Sequence, residues 1–308
     1  MNRYYRSLAP LVQPESHPRP LDWPRIFGRR APLELEIGFG NGEYLHQSSL
    51  AHPERDFVGV EVAWASAKRA LRRLAAPPRP NVKLVMEKAQ VALARFFAPE
   101  SLAVCRLFFP LPWPNPKQAG QRLCQREFLD LAADRLAPDG LFLLVTDSRD
   151  LADWVLDQAR DSALGLSLSE RPPELDTKYE RKWQGAGWRS FYRLAGGKTL
   201  AEKTRHPALA KPEEINVRAF YRSQLDPADY RPQGLATPDL VIRFKEFIYD
   251  SGRAEGLQRA LVIEGHLTQD FYIRLRREPD GRWKVSPAAP ARLFPTRGLD
   301  LALELAAG

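Results

Sequence analysis

Three glycines at alternate positions, Gly38, Gly40 and Gly42, follow a segment in which apolar and charged residues alternate, Leu33–Ile37. Alternation with a period of two predicts a strand, and the segment that begins at Glu43 predicts a helix. Glycine is needed where the chain reverses within a few residues and where a ligand must reach the backbone. The sequence therefore predicts a strand, a tight turn and a helix that together hold a ligand.

Two acidic residues indicate which ligand this turn holds. A dinucleotide site has the spacing Gly-x-Gly-x-x-Gly and binds pyrophosphate, whereas here the spacing is Gly-x-Gly-x-Gly and Glu36 lies two positions before the first glycine. A carboxylate there repels pyrophosphate and attracts a cation. Glu61 ends the apolar run 57–60, and a carboxylate at such a strand tip can accept hydrogen bonds from both hydroxyls of a ribose. These features favour a positively charged nucleoside without phosphate, S-adenosylmethionine. The alternative is an ordinary glycine turn of an α/β protein.

This turn belongs to a series of alternating strands and helices. Further strands are expected at residues 82–86, 104–109, 141–145, 164–168 and 188–194. Helices are expected at residues 43–51, 63–74, 91–97, 122–136 and 150–161. Residues 110–116, which contain four prolines, predict a stiff loop, and residues 171–180 predict a second loop. The alternation is typical of a doubly wound α/β domain, in which ligands bind at the carboxyl ends of the strands.

The charge of the chain favours a polyanionic partner. Lys and Arg number 46 against 38 Asp and Glu, which gives a net charge of +8, and such a surplus suits nucleic acid. The helix expected at residues 63–74 has a basic face, made of Lys68, Arg69, Arg72 and Arg73. This face could contact nucleic acid or could simply be solvated.

Other classes of protein are disfavoured. Cys105 and Cys124 match no metal-ligand spacing, so no metal is expected. The N-terminal residues lack a signal-peptide pattern, and no apolar run approaches the length of a membrane helix. We therefore expect a cytoplasmic protein without a membrane anchor.

The composition changes along the chain and predicts four regions. Residues 1–30 are rich in proline and predict an irregular arm, residues 31–195 form the doubly wound domain, and residues 196–212 predict a linker. Residues 213–308 predict a smaller, mainly antiparallel β domain. Its strands are expected at residues 240–249, 260–264, 271–276 and 282–285, with a hairpin turn at 279–281. Its arginines at 274, 276 and 277, near Phe271 and Tyr272, could bind RNA or form a solvated face.

Five short motifs occur in order and at fitting intervals, at residues 36–42, 59–61, 108–114, 146–147 and 177–180. This set resembles the bacterial tRNA (guanine-N7)-methyltransferase family over roughly residues 32–194. The resemblance implies a Rossmann-like fold and transfer of a methyl group from S-adenosylmethionine to N7 of a guanine in the variable loop of tRNA. Some members of that family carry a C-terminal extension, which the residues after Lys198 would form. No obligate protein partner is evident, and we expect a monomer or a homodimer.

The resemblance also implies which residues form the site. The cofactor would be bound by Glu36, Gly38, Gly40, Gly42, Glu61 and the position of Lys88. The guanosine would be bound by Asn115, Asp147, Thr177, Lys178, Tyr179 and Glu180. Two of these assignments have support of their own. A strand tip at Asp147 lies on the ligand edge of such a sheet, and a carboxylate such as Glu180 can accept hydrogen bonds from N1 and the amino group of guanine.

Three positions depart from the pattern that this family usually shows. Leu111 stands where the loop usually has Asp, Asn115 where it has Lys, and Lys88 where an Asp commonly follows the third strand. N7 of guanine carries a lone pair and no proton, so its methylation needs placement and a favourable field but no general base. The sequence leaves three alternatives: an active tRNA methyltransferase, a degenerate homologue that binds tRNA without methylating it, and a methyltransferase with another acceptor.

Overall fold

A computed structural model describes residues 7–75, 78–172, 177–188, 190–199, 217–289 and 292–308. The chain divides into two compact units, Met1–Ala210 and Lys211–Gly308. Among the described residues no helix is long and apolar enough to cross a membrane.

The first unit has an eight-stranded sheet with helices. Its strands are β1 Leu11–Val12, β2 Leu33–Ile37, β3 Asp56–Glu61, β4 Val82–Met86, β5 Leu102–Phe108, β6 Leu136–Thr146, β7 Leu164–Arg171 and β8 Phe191–Lys198. Its helices are α1 Trp23–Phe27, α2 Glu43–Ala51, α3 Trp64–Leu74, α4 Ala89–Phe96, α5 Arg126–Arg135, α6 Arg149–Arg160 and α7 Lys178–Gly185. The strand order is β1-β4-β3-β2-β5-β6-β8-β7. Every pair is parallel except those of β8, which runs antiparallel to β6 and β7. This topology confirms the predicted Rossmann-like doubly wound sheet.

The strand order fixes where a ligand can bind. From β2 the chain moves outward through β3 and β4, and it returns to the other side of β2 with β5. A crevice forms at such a reversal, outside the carboxyl ends of the strands. The turn after β2, Glu61 at the end of β3, the loop after β5 and Asp147 after β6 therefore share one edge.

Close packing between helices explains one of the three glycines. Gly42 has a φ of +69°, and a Cβ atom there would lie 2.8 Å from the Cβ of Ala70 in α3. Ala70 is fully buried, together with Ala67, Leu71 and Leu74. Any larger residue at 42 would push α3 away from the turn.

The N-terminal arm is more regular than expected. Leu11 and Val12 pair with Leu84 and Val85 at the edge of the sheet. Trp23 is buried, and its indole N–H donates to the carbonyl of Phe96 at 3.0 Å. The prediction of an irregular arm was wrong at these points, because long-range pairing and burial ordered short apolar pieces that lie between the prolines.

Several predicted boundaries differ from the observed ones. The helix expected from residue 122 begins at Arg126, and the strand expected from residue 141 begins at Leu136, which pairs with Leu102. Residues 178–180 were expected in a loop but begin α7, because Thr177 caps the helix by accepting a hydrogen bond from the Glu180 backbone N–H. The linker expected from residue 196 also begins later, because β8 continues to Lys198 alongside β6 and β7. Residues 200–212 of that linker lie outside the described residues.

The second unit is an antiparallel sheet packed against one helix, α8 Arg297–Ala307. The strands are β9 Phe220–Arg222, β10 Leu235–Ala236, β11 Leu240–Asp250, β12 Glu255–Glu264, β13 Leu267–Arg277 and β14 Trp283–Pro287. Their order in the sheet is β10-β11-β12-β13-β14-β9. This confirms the predicted antiparallel domain and the hairpin at residues 279–281, but β9, β10 and α8 were missed. A buried 3,4-spaced pattern in α8, at Leu299, Ala302, Leu303 and Ala306, was the available signal.

Candidate active site

Backbone hydrogen bonds hold the glycine turn in place. Gly38, Gly40 and Gly42 all have positive φ, at 74°, 51° and 69°. The N–H of Gly38 donates to the carbonyl of Val60 at 2.8 Å, and the N–H of Gly42 donates to the carbonyl of Phe39 at 2.8 Å. The turn is therefore fixed to β3 and closed on itself before any ligand binds.

Glu61 ties the same turn to the start of α3. One carboxylate oxygen accepts from the N–H of Gly40 at 3.2 Å, and the other accepts from the N–H groups of Val62 at 2.8 Å and Ala63 at 3.0 Å. A carboxylate can accept about four hydrogen bonds. Acceptor capacity therefore remains for ribose hydroxyls, and that role stays a prediction.

Glu36 is the most unusual residue of the site. It is 5% exposed, and its Oε2 atom is buried without a hydrogen-bond partner among the described residues. Burial raises the pKa of this carboxyl to about 8, although the charge of Arg106 acts in the opposite direction. Arg106 itself pairs with Glu34, as does Arg55. A buried carboxylate without a partner is costly, so the site fits a ligand that brings a positive charge, as S-adenosylmethionine does.

The basic face of α3 is partly committed to the glycine turn. Arg69 donates to the side chain of Asn41 at 2.5 Å. Arg73 donates to the carbonyl of Asn41 at 3.3 Å and to Glu43 at 3.1 Å. This face was predicted either to contact nucleic acid or to be solvated, and neither prediction includes the contacts of Arg69 and Arg73 with the turn. These contacts could not be predicted from the sequence because they depend on how α3 packs.

A pocket joins this turn to the elements that the resemblance assigns to the guanosine. Five of the predicted site residues line it: Glu36, Gly38, Gly40, Thr177 and Tyr179. Unpredicted residues that line it include Asn41, Glu43, Tyr44, Arg69, Phe108 and Phe109. The other described candidates do not line it, namely Gly42, Glu61, Lys88, Asn115, Asp147 and Glu180. The side chain of Lys178 lies outside the described part of the chain.

Aromatic rings form the wall of this pocket opposite the glycine turn. The ring of Tyr179, which is 52% exposed, stacks on Phe109 with centroids 5.7 Å apart and an interplanar angle of 20°. Phe109 also packs edge-on against Phe191 at 5.2 Å. Phe109 has a φ of +50°, a conformation that is uncommon for residues other than glycine. The wall thus combines a strained residue after β5 with the first turn of α7.

The two acidic candidates for binding guanosine differ in position. Glu180 is fully buried, and its carboxylate accepts from the guanidinium of Arg171. Asp147 is half-buried one residue beyond β6, as predicted from the fold. In this structure Glu180 secures α7 to the end of β7.

The positions that depart from the family pattern are outside the pocket. Leu111 is 68% exposed. Asn115 caps a short 3-10 helix, Pro116–Gln121, by accepting from the N–H of Lys117 at 3.0 Å. Lys88 is exposed at the start of α4. Lys88 therefore does not oppose a cation inside the pocket.

Arg122 binds the backbone of the proline-rich loop. Its guanidinium donates to the carbonyls of Pro112 at 2.9 Å and Trp113 at 3.2 Å, and it lies 4.9 Å from the centroid of the Trp154 ring. Residues 110–115 contain no helix or strand, as predicted, but the stiff loop predicted for 110–116 ends one residue early because Pro116 begins the 3-10 helix that Asn115 caps. The loop is therefore held by Arg122, which packs on Trp154 of α6, as well as by its prolines.

One ion pair connects the two sides of the pocket. Glu43 in the first turn of α2 accepts from Arg181 of α7 at 2.8 Å as well as from Arg73. The carboxylate is nearly buried, whereas Arg181 is 47% exposed. Sequence reasoning missed both Glu43 and Arg181.

Comparison with known proteins places residues 30–192 within the model of a family described as "Putative methyltransferase". The chain is 36% identical to the tRNA (guanine-N(7)-)-methyltransferase of Thermotoga maritima over 188 residues, which are 60% of each protein. It is 36% identical over 174 residues to the protein of that name from Chlorobium phaeobacteroides, covering 56% of this chain and 83% of that protein. With the Thermus thermophilus protein of that name it shares 31% identity over 278 residues, covering 88% of this chain and 86% of that protein. The match to the Thermus protein extends beyond the methyltransferase domain into the second unit.

Proposed function

Because the chain belongs to the tRNA (guanine-N(7)-)-methyltransferase family, we propose that it transfers a methyl group from S-adenosylmethionine to N7 of a guanine in tRNA. The observation that carries this proposal is the buried Glu36 carboxylate, whose Oε2 lacks a described partner, in a pocket shared by the glycine turn and the aromatic wall. A cation next to a buried carboxyl favours its ionised form, so this group suits a cationic ligand. The aromatic wall suits a flat purine.

Each part of the cofactor half has a defined task in this proposal. Glu36 compensates the positive charge of the cofactor, Gly38 and Gly40 allow its close approach to the backbone, and Glu61 accepts from the ribose hydroxyls. Bound there, S-adenosylmethionine supplies a methyl group on a positively charged sulfur.

The acceptor half then needs to place the guanine. S-adenosylmethionine bound in the cofactor half would supply the methyl group, which N7 would accept through its lone pair, leaving S-adenosylhomocysteine and a positive charge on the purine. No proton moves, so no general base is needed. Tyr179 and Phe109 hold the plane of the base, and Thr177 fixes the start of α7. Placement of this kind supplies most of the acceleration.

Asp147 has a part in this scheme through its position. It follows β6 on the same edge as the glycine turn, where a carboxylate favours positive charge on the methylated purine. Glu180, which is paired with Arg171 in this structure, would bind guanine directly only after that pair rearranges. A tRNA substrate implies a cytoplasmic location, and the oligomeric state stays a prediction.

The test is transfer of labelled methyl from S-adenosylmethionine to unmodified tRNA, followed by separation of the nucleosides. We expect label in 7-methylguanosine, and we expect little or none when Glu36→Gln replaces the wild type. Label in a different nucleoside would overturn the assignment of N7. Absence of any transfer by a protein that binds the cofactor would overturn the proposed activity.

A further inference from the structure

The helix α7 and the residues that follow it carry a row of aromatic rings that begins at the pocket. Tyr179 lines the pocket, and Trp183 lies one helical turn further along, on the same side of α7. The ring of Trp183 then meets that of Trp188, with centroids 5.2 Å apart. Trp188 is 39% exposed and Tyr179 is 52% exposed. Large aromatic rings are usually buried to a much greater extent, so this row calls for an explanation.

The exposed charged side chains that α7 itself contributes beside this row are positive. Arg181 and Lys182 are exposed, whereas the acidic residue of α7, Glu180, is fully buried against Arg171. The ammonium of Lys182 lies 4.6 Å from the centroid of the Trp183 ring. Among the described residues no carboxylate pairs with Lys182. An exposed surface that combines cations with neighbouring aromatic rings is complementary to unpaired nucleotides, which offer phosphates and flat bases.

We propose that Trp183 and Trp188, which continue the row from Tyr179, form a stacking surface for unpaired bases of the RNA next to the guanine that is methylated. This inference rests on the proposed function, and it adds a binding surface outside the reacting pocket. Lys182 covers one face of Trp183, so Trp188 presents the more accessible ring. The base that stacks there is bound irrespective of its identity, because every base has a flat π face.

The surface is tested by replacing the ring while keeping apolar bulk. Binding of fluorescently labelled, unmodified tRNA is measured by anisotropy for the wild type and for Trp188→Leu, and methyl transfer is measured in parallel. Stacking of one base is worth about 1–3 kcal/mol, so we expect the Kd and the KM for tRNA to rise by about 5- to 150-fold. The kcat and the KM for S-adenosylmethionine should stay the same. Trp188→Phe, which retains a π face, should recover most of the affinity.

A matched control is available in the second unit. Tyr221 is 42% exposed, and the guanidinium of Arg282 lies 4.6 Å from its ring centroid, so it resembles Trp183 beneath Lys182. We expect Tyr221→Leu to leave tRNA binding unchanged. Lys182→Gln should weaken tRNA binding and reduce the slope of log Kd against log salt concentration by about 1, as expected for the loss of one phosphate contact. Trp188→Leu should leave that slope unchanged.

The outcomes separate this inference from the proposed function. Unchanged tRNA affinity in Trp188→Leu, in a protein that still methylates tRNA, would overturn the stacking surface alone. Equal losses in Trp188→Leu and Trp188→Phe would also overturn it, because the ring would then act through packing. If the wild type binds tRNA without methylating it, the proposed function fails and the binding comparison still decides the role of the rings. If the wild type does not bind tRNA, both fail.

Discussion

In the cofactor half of the site, which comprises residues 36–43 and Glu61, the Glu61 carboxylate binds the backbone of the turn. In the acceptor half, which comprises the loop after β5 with Arg122 and α7, side chains bind one another: Glu180 with Arg171, Tyr179 with Phe109, and Arg122 with the ring of Trp154. Two of the three departures from the family pattern, Leu111 and Asn115, also lie in the acceptor half. The difference indicates that cofactor geometry is set by the fold, whereas acceptor geometry depends on a few contacts that can change separately.

The largest expected effect concerns the stability of the ligand-free protein. The pKa of Glu36 is raised to about 8 by burial, so between about pH 4.5 and pH 8 the folded chain keeps a proton that the unfolded chain releases. The contribution of Glu36 to the free energy of unfolding is therefore fully present below pH 4.5. It is lost as the pH rises to 8, and the loss is at most a few kcal/mol. Denaturant unfolding at several pH values should show this slope in the wild type but not in Glu36→Gln. Saturating S-adenosylmethionine should reduce the slope by pairing the carboxylate, and an equal slope in both proteins would contradict the burial argument.

A second prediction uses the same residue to measure the cofactor half directly. Glu36→Gln keeps the shape of the side chain and removes its charge. A hydrogen bond to a charged group is worth about 1.5–3 kcal/mol, so the Kd for S-adenosylmethionine measured by calorimetry should rise by about 10- to 150-fold. Binding of tRNA alone should not change. An unaltered cofactor Kd would show that the buried carboxylate has another purpose.

Local patterns in the sequence placed Glu36 and Glu61 near the ends of two strands beside the turn, as observed in β2 and β3. That these carboxylates bind the cofactor stays a prediction. The hydrogen bonds of Arg122 to the loop and the ion pair of Arg171 with Glu180 join residues that only the folded sheet brings together. The start of α7 was different, because Thr177 followed by Glu180 is the local signature of a capping box. That signal was present, but those residues had been interpreted only as a binding loop.

A third prediction addresses the acceptor half through the contacts of Arg122 with the proline-rich loop. Arg122→Ala removes both hydrogen bonds to the loop carbonyls and the packing on Trp154. A small displacement of the loop should lower kcat for tRNA methylation by about 10- to 100-fold. Arg122→Lys keeps the charge but lacks the planar fork, so it should recover only part of the activity. The Kd for S-adenosylmethionine should not change, and a parallel loss of cofactor affinity would contradict the independence of the two halves.

A fourth prediction restores a charge to the same loop. Leu111→Asp returns to the loop the carboxylate that the family usually has at this position, and its charge should favour positive charge on the purine in the transition state. Leu111 is 68% exposed, so solvent screens the effect and we expect kcat to rise by no more than about tenfold. Leu111→Asn, which adds polarity without charge, should give no increase. Equal gains in both variants would point to loss of an exposed apolar side chain as the cause.

The smallest expected effect tests an ion pair that joins the halves. Glu43 binds Arg181 of α7 and Arg73 of α3, so Arg181→Gln leaves the carboxylate with a partner. Because Arg181 is 47% exposed, we expect a coupling of about 0.5–1 kcal/mol between Glu43→Gln and Arg181→Gln in a double-mutant cycle on cofactor and tRNA binding. Arg73→Gln is the control, because its contact lies outside α7 and should alter cofactor binding alone. Strictly additive effects of Glu43→Gln and Arg181→Gln would mean that α7 and the glycine turn bind their ligands independently. A measurable coupling would mean that an ordered glycine turn helps to hold α7 against the acceptor.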